Sequence, residues 1–393
     1  MKTPFAAALA AMAMLFGLAS CGGGGGGGGI EGTGSPLGTM RLSLTDAPAC
    51  GFDAVHITVD RVRVHQSAGA ADADTGWSEV VLNPAKRVDL LTLSNGVLEP
   101  LGQTDLPAGK YTQMRLVLAP NTAAAPFANA VTPTGDAETA LTTPSAQQSG
   151  LKLNVNIDIP AGKVADFAID FDACKSIVKR GNSGQYNLKP VISVTPIVSD
   201  AGLRVTGYVD PSIAVGSTLV SVQQAGVPVK ATAPDATGRF VLYPVPAGSY
   251  DLVVSAAGRV TATMTGVPVV ATAPTTINSA ALPIAPGATT LRTVTGTVTP
   301  ATATARALQL YTGGPTVEVA WAPVDATTGA FGFSLPIGAP VKLAWVANPS
   351  TLAFLPDAAA GAKYNVETAS NGTAKSQAID VGAAVAPLVF SFP

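Results

Sequence analysis

The sequence predicts an all-β chain, with tandem β-sandwich domains behind a lipoprotein signal peptide and a glycine-rich tether. Three observations carry this expectation. Apolar residues make up 47% of the 393 positions, yet they fall in short alternating runs and not at the three-to-four spacing of an amphipathic helix. Turn residues, among them 41 glycines and 31 prolines, break those runs every eight to twelve positions or so, as in sandwiches and barrels. In the C-terminal half a hairpin pattern recurs at an offset of about 90 residues, which suits one small sandwich per copy better than a solenoid turn.

The amino terminus has the order of a secretory signal: Lys2, an apolar run over residues 5–19, then the small residues Ala19 and Ser20. That run is too short for a spanning helix of about 20 residues. Leu18-Ala19-Ser20-Cys21 resembles the bacterial lipobox, and the resemblance implies removal of residues 1–20 and a thioether-linked diacylglycerol on Cys21. An ordinary cleaved signal followed by a coincidental cysteine is the alternative. Several acyl chains, at roughly 0.8 kcal/mol per buried methylene, anchor a protein to a bilayer where one chain would not. Gly22 follows the cysteine in place of the aspartate associated with inner-membrane retention, so an outer-membrane location in a bacterial envelope is expected. The glycines from 22 to 29 continue into a polar stretch, and residues 21–39 read as a flexible tether reaching on the order of 25 Å. A phosphate-cradling loop would need a preceding strand, a following helix and usually a lysine, and none is present.

Net charge is -2 with only 12% charged residues, and the basic ones are scattered, which excludes a nucleic-acid partner. The first folded unit is expected over residues 40–198. Met40, Leu42 and Leu44 alternate as in a half-buried strand. Val55, Ile57 and Val59 then keep one parity while Val62 and Val64 keep the other, and a phase flip at Asp60-Arg61 means a bulge. Residues 77–82, 87–93, 112–118 and 151–159 read as strands, and the Ala/Thr/Pro-rich residues 119–143 as an excursion loop.

Six separated motifs lie in this unit: Leu44-Thr45-Asp46-Ala47-Pro48, Val88-Asp89-Leu90-Leu91, Pro107-Ala108-Gly109-Lys110-Tyr111, the stretch from Pro144 to Leu153, Asp170-Phe171-Asp172-Ala173-Cys174-Lys175, and Tyr186-Asn187-Leu188-Lys189-Pro190. Together they resemble an uncharacterised domain-of-unknown-function family (the 4382 type) of exported bacterial lipoproteins, a resemblance that implies no particular activity.

With Cys21 lipidated, Cys50 and Cys174 remain, and in an oxidising compartment the simplest use of such a pair is a disulfide. A reactive thiol beside His56 or His65 is the rival reading. Asp166, Asp170 and Asp172 share strand parity opposite Phe167, Ile169 and Phe171, so they form either a carboxylate face able to hold Ca²⁺ or a solvated face over a buried aromatic one. Ser149 and Lys152 have the spacing of serine–lysine enzymes, but companion motifs are missing and Lys152 enters an alternating strand. No catalytic residue is assigned.

Beyond Gly202 the repeat begins. Val205-Thr206-Gly207-Tyr208-Val209 is echoed by Val294-Thr295-Gly296-Thr297-Val298, and Asp235 to Phe240 by Asp325 to Phe331. Residues 203–284 resemble the carboxypeptidase-regulatory or starch-binding-like sandwich family, with 291–393 as a more divergent copy, and the resemblance implies stalk or accessory modules. Trp321 and Trp345 either stack against a sugar face or fill the core. The expected protein is a non-catalytic envelope lipoprotein, held in the lipid bilayer through Cys21, that binds polysaccharide or an envelope protein. A hydrolase acting on envelope polymers and a structural spacer are the alternatives.

Overall fold

The computed structural model describes residues 35–46, 51–144, 146–214 and 218–393. The signal peptide, Cys21, most of the tether and Cys50 lie outside the described residues. Residues 36–393 form one compact unit with three main hydrophobic cores, and its sheets are those of tandem sandwiches. No helix among the described residues is long and apolar enough to cross a membrane.

Strand structure starts within the segment expected to be tether: Leu37 already pairs with Pro107. The alternating residues Met40, Leu42 and Leu44 are fully buried, so Leu37–Asp46 is a half-buried strand as its pattern demands. It lies between Glu99–Pro107, antiparallel, and Val164–Phe171, parallel, in a four-stranded sheet closed by Ile192–Pro196. The facing sheet is built round Phe52–His65. Its register against both Ser78–Asp89 and Gly109–Leu118 shifts between Val59 and Arg61, which is the bulge read from the phase flip. The bulge puts Val55, Ile57 and Val59 and then Val62 and Val64 all into the core.

Two expectations are corrected here. Residues 77–82 and 87–93 are not two strands but the halves of one, Ser78–Asp89, which then turns into a 3-10 segment, Leu90–Leu93. Asp89 ends the strand because its carboxylate accepts hydrogen bonds from the backbone of Leu91 and Val55. Residues 119–143 are not only loop. Ala130–Pro133 and Thr139–Thr142 pair with each other, and the former extends the sheet beside Phe52–His65. Asn129 organises the return, with its amide oxygen accepting from Thr58 N and its amide nitrogen donating to Ala119 O.

The repeat has a steric cause. A Cβ on Gly207 would lie 2.6 Å from Phe240 Cζ, and one on Gly296 would lie 2.4 Å from Phe331 Cζ, so glycine recurs because a phenylalanine ring crosses the strand at that point in each copy. The following turn repeats too. Gly238 and Gly329 have φ of +83° and +69°, and a Cβ on either would strike the carbonyl oxygen of Val209 or Val298. Asp235 and Asp325 brace these turns by accepting from the backbone of Thr237 and of Thr327 and Thr328.

The two copies are not separate beads. Val341–Ala344 belongs by sequence to the second copy, yet it pairs in parallel with Ala262–Val269 and extends the sheet of the first. Val253 of the first copy, in turn, lies in the core of the second. A boundary drawn between 284 and 291 is therefore crossed in both directions.

Replacing Gly207 with alanine should destabilise the protein by about 1–3 kcal/mol through overpacking against the fully buried Phe240 ring. Gly287→Ala, with nothing within 4 Å of the added Cβ, is the control and should stay within about 0.5 kcal/mol. Denaturant titration of the two variants checks the contrast.

Candidate functional site

The first domain packs against both sandwiches, and buried polar groups make the seams. Asn95, held at φ 60°, donates its backbone N–H to Thr232 Oγ1 at 2.7 Å and accepts from Val241 N at 2.5 Å. Lys230, 4% exposed, reaches Asp170 Oδ1 at 2.7 Å. On the other sandwich, Gly181 N donates to Asp325 Oδ2 at 2.7 Å. Lys189, whose amine is pushed below its ordinary value by burial, donates to the carbonyls of Thr302 and Ala303.

Between these seams lies a cavity of about 980 Å³ with walls from all three domains. Its chemistry centres on Glu318, which is 7% exposed. The register between Thr304–Leu310 and Thr316–Ala322 shifts beside it, and a bulge frees backbone groups from the ladder. Gln223 of the middle domain takes these up: Glu318 N donates to Gln223 Oε1 at 2.8 Å, and Gln223 Nε2 donates to Glu318 O at 2.7 Å. The carboxylate meets Lys175 of the first domain at 2.9 Å and Arg306 at 3.5 Å, and Arg306 also binds Glu367 at 2.6 Å.

Lys175 stands on a short turn, Ala173–Ser176, that Asp172 caps by accepting from Lys175 N at 3.0 Å. Its amine lies 3.9 Å from Asp172 Oδ2 and 4.9 Å from the Trp321 ring centroid. Burial pushes the Asp172 carboxyl up to about 6, against the pull of the Lys175 charge and N–H. Asp46 goes further in the same direction. Burial holds it well above the usual carboxylate range, with only partial relief from its bond to Ala173 N.

Trp321 is therefore a half-buried wall of the cavity, not a core residue, and its shielded indole N–H has no hydrogen-bond partner. Tyr186 and Phe52, in edge contact at 5.7 Å between centroids, add aromatic wall from the first domain. Trp345 does not join them. It packs against the middle core, so the two tryptophans make no common platform.

The three aspartates are also dispersed. Asp166 forms a two-point ion pair with Arg41, Asp170 faces Lys230, and Asp172 caps the turn. Among the described residues no group of three or more His, Cys, Asp or Glu is placed to hold a metal. Cys174 lies in the cavity wall, as do Gly51 and Phe52, the residues directly after Cys50. Ser149 serves through its carbonyl, which accepts from Arg115. Reading residues one by one did not disclose Glu318, Gln223 or Lys175 as partners. Glu318, set between the alternating Val317, Val319 and Trp321, was the one signal available, and the alternation alone places it on the polar face.

Residues 37–190 match the family described as Domain of unknown function (DUF4382). The match covers the first domain up to its last strand, Ile192–Pro196, and includes the turn that carries Asp172 and Lys175. No curated protein matches the sequence. Among solved structures, two interface mutants of a type II cohesin–X-dockerin complex from Acetivibrio cellulolyticus are similar at 26% and 23% identity with TM-scores of 0.19. These cover 22% of this chain, which spans 58% and 59% of the matched chains. A Streptococcal ancillary pilin is similar at 13% identity, with TM-score 0.18, over 89% of this chain and 97% of that one. TM-scores this low do not establish a shared overall arrangement.

The raised Asp172 carboxyl fixes the sign of a pH effect. Its folded form binds a proton more tightly than its unfolded form, so its contribution to stability is fully present below the unfolded value of 3.8 and is lost as pH rises through about 6. Asp172→Asn removes this loss and keeps a capping oxygen. Relative to the parent, the variant should gain up to about 3 kcal/mol between pH 4 and pH 7, measured by denaturant unfolding at each pH. A constant difference across that range would show that the carboxyl is not desolvated.

Proposed function

We propose that the chain is a non-catalytic, lipid-anchored protein of the bacterial envelope, held in the outer membrane through Cys21, that binds carbohydrate in the cavity shared by its three domains. The observation that carries this reading is the wall chemistry. A cavity of about 980 Å³ falls in the size range of small-ligand sites, and it combines aromatic faces with a few fixed polar groups. Trp321 offers a ring for the apolar face of a pyranose, while Asp172 and Lys175 at the same wall offer hydroxyl partners. An envelope protein inserting a polar loop is the other occupant of this chemistry.

A hydrolase is the second reading, because Asp172 and Glu318 both lie within 4 Å of Lys175 Nζ and one of them is poised near neutral pH. Binding fits better. Glu318 is neutralised by two cations and Asp172 is engaged as a cap, which leaves neither free to move a proton. The Cys50–Cys174 disulfide belongs to the same proposal, supported by the placement of Gly51 and Cys174 in one wall. It would brace the turn that carries Lys175.

Calorimetry on residues 36–393, with neutral and acidic oligosaccharides and calcium as titrants and a chelator arm, tests the reading. Saturable one-to-one sugar binding is expected, weakened at least about tenfold in Trp321→Ala, with the unfolding midpoint of that variant checking its fold. Silence across the panel, or binding indifferent to Trp321, overturns it. Turnover of any oligosaccharide would favour the hydrolase. Digestion of the same protein without reductant should release the Cys50 and Cys174 peptides joined, and recovery of both as free thiols would remove the disulfide.

A further inference from the structure

Arg259 is a cation of the cavity wall that the pairing across the seams does not use. It stands on the turn that follows the strand Gly248–Ser255 of the middle sandwich. Gly258, at φ +68°, lets the chain reverse there, and Arg259 N closes the turn on Ala256 O at 3.1 Å. A bridge from Arg259 to Ala288, and the bond from Thr289 N to Gly258 O at 2.8 Å, tie the turn to the segment joining the two repeats. The adjoining wall residues Ser255, Ala256 and Ala257 are small and uncharged. Arg259 is half-buried, and its one side-chain hydrogen bond among the described residues runs from Nη1 to Pro286 O at a long 3.4 Å. Asp210, whose carboxyl is held low first by its bonds to Ser212, feels Arg259 as the weakest of its influences.

The buried and half-buried carboxylates of the wall, by contrast, are engaged. Glu318 meets Lys175 and Arg306, and Asp172 caps its turn beside Lys175. Asp325 accepts from Thr327 N, Thr328 N and Gly181 N. Lys179 and Asp136, the other charges of the wall, are exposed and opposite in sign, so water weakens both. Arg259 is left as a shielded charge without a protein counter-ion among the described residues. Its planar fork of N–H donors matches a carboxylate at two points, and partial burial strengthens that attraction over its value in water. We propose that the cavity takes an acidic glycan, with a uronate carboxylate of the sugar paired to Arg259. The inference rests on the reading of the cavity as a carbohydrate site and adds the class of sugar. Trp321 takes the apolar face of a pyranose and Arg259 takes the charge, both from the wall of one cavity of about 980 Å³. That volume lies at the upper end of the range for small-ligand sites, which suits an oligosaccharide of more than one ring.

The test is calorimetric titration of the full chain with two matched probes, an oligogalacturonate and the same oligomer with its carboxyls methyl-esterified. The acid form should bind at least about tenfold more tightly than the ester, as a charge-assisted pair requires. In Arg259→Gln the gap should shrink to less than about threefold, and in Arg259→Lys, which keeps the charge but loses the fork, it should fall between the two. Unfolding midpoints check the fold of each variant, and the comparison of the two probes on the parent chain stands without them. Equal affinity for acid and ester, tighter binding of the ester, or a gap undiminished in folded Arg259→Gln overturns the inference and leaves the carbohydrate reading in place. So does binding of neutral oligosaccharides with no response to the acid probe. Silence to every glycan removes the carbohydrate reading and this inference with it.

Discussion

Glu318 is the constraint on which the rest of the arrangement depends. Its backbone is bonded on both sides to Gln223 of the middle domain, and its carboxylate to Lys175 of the first domain and to Arg306 of its own. A carboxylate this far from water is tolerated only when its charge is matched, and removing one partner of such a pair costs about 3–5 kcal/mol. The three domains must therefore be present together for Glu318 to be stable where it is. That requirement, more than any linker, sets how residues 36–393 assemble.

The cavity follows from the same constraint. Each domain presents polar side chains towards the junction, and these pair across seams: Lys230 with Asp170, Asn95 with Thr232 and Val241, Gln223 with Glu318. What the pairs do not fill is left as a space walled by Trp321, Tyr186 and Phe52. The strand Val341–Ala344, paired in parallel with Ala262–Val269, ties the two repeats together. A simple spacer of independent beads has no use for buried charges at its joints. A removable repeat would also leave Asp170 without its lysine.

Much of the fold was legible in the sequence because its causes are local. The change of parity at Asp60-Arg61 could be read as a bulge, since only a bulge keeps Val59 and Val62 on the same buried face. The repeat was legible because each glycine and its ring, register partners on paired strands, recur at nearly the same spacing in both copies. The shared face of Asp166, Asp170 and Asp172 was legible as well, but what they meet was not. Arg41 and Lys230 are far away in sequence, and only tertiary packing decides whether a carboxylate finds a metal, a cation or water. Trp321 illustrates the same limit: its apolar neighbours suit a core position, and it becomes a cavity wall because the first domain brings Lys175 over its ring. The strands Ala130–Pro133 and Thr139–Thr142 were hidden by short length and an Ala/Thr/Pro composition without alternation.

If buried pairs make one body of three cores, the cores should unfold together. Differential scanning calorimetry of residues 36–393 at neutral pH measures this most directly. The account predicts a single transition whose calorimetric and van't Hoff enthalpies agree. Two or three resolved transitions, each with the heat of one sandwich, would contradict it and leave the cavity a loose gap between independent domains.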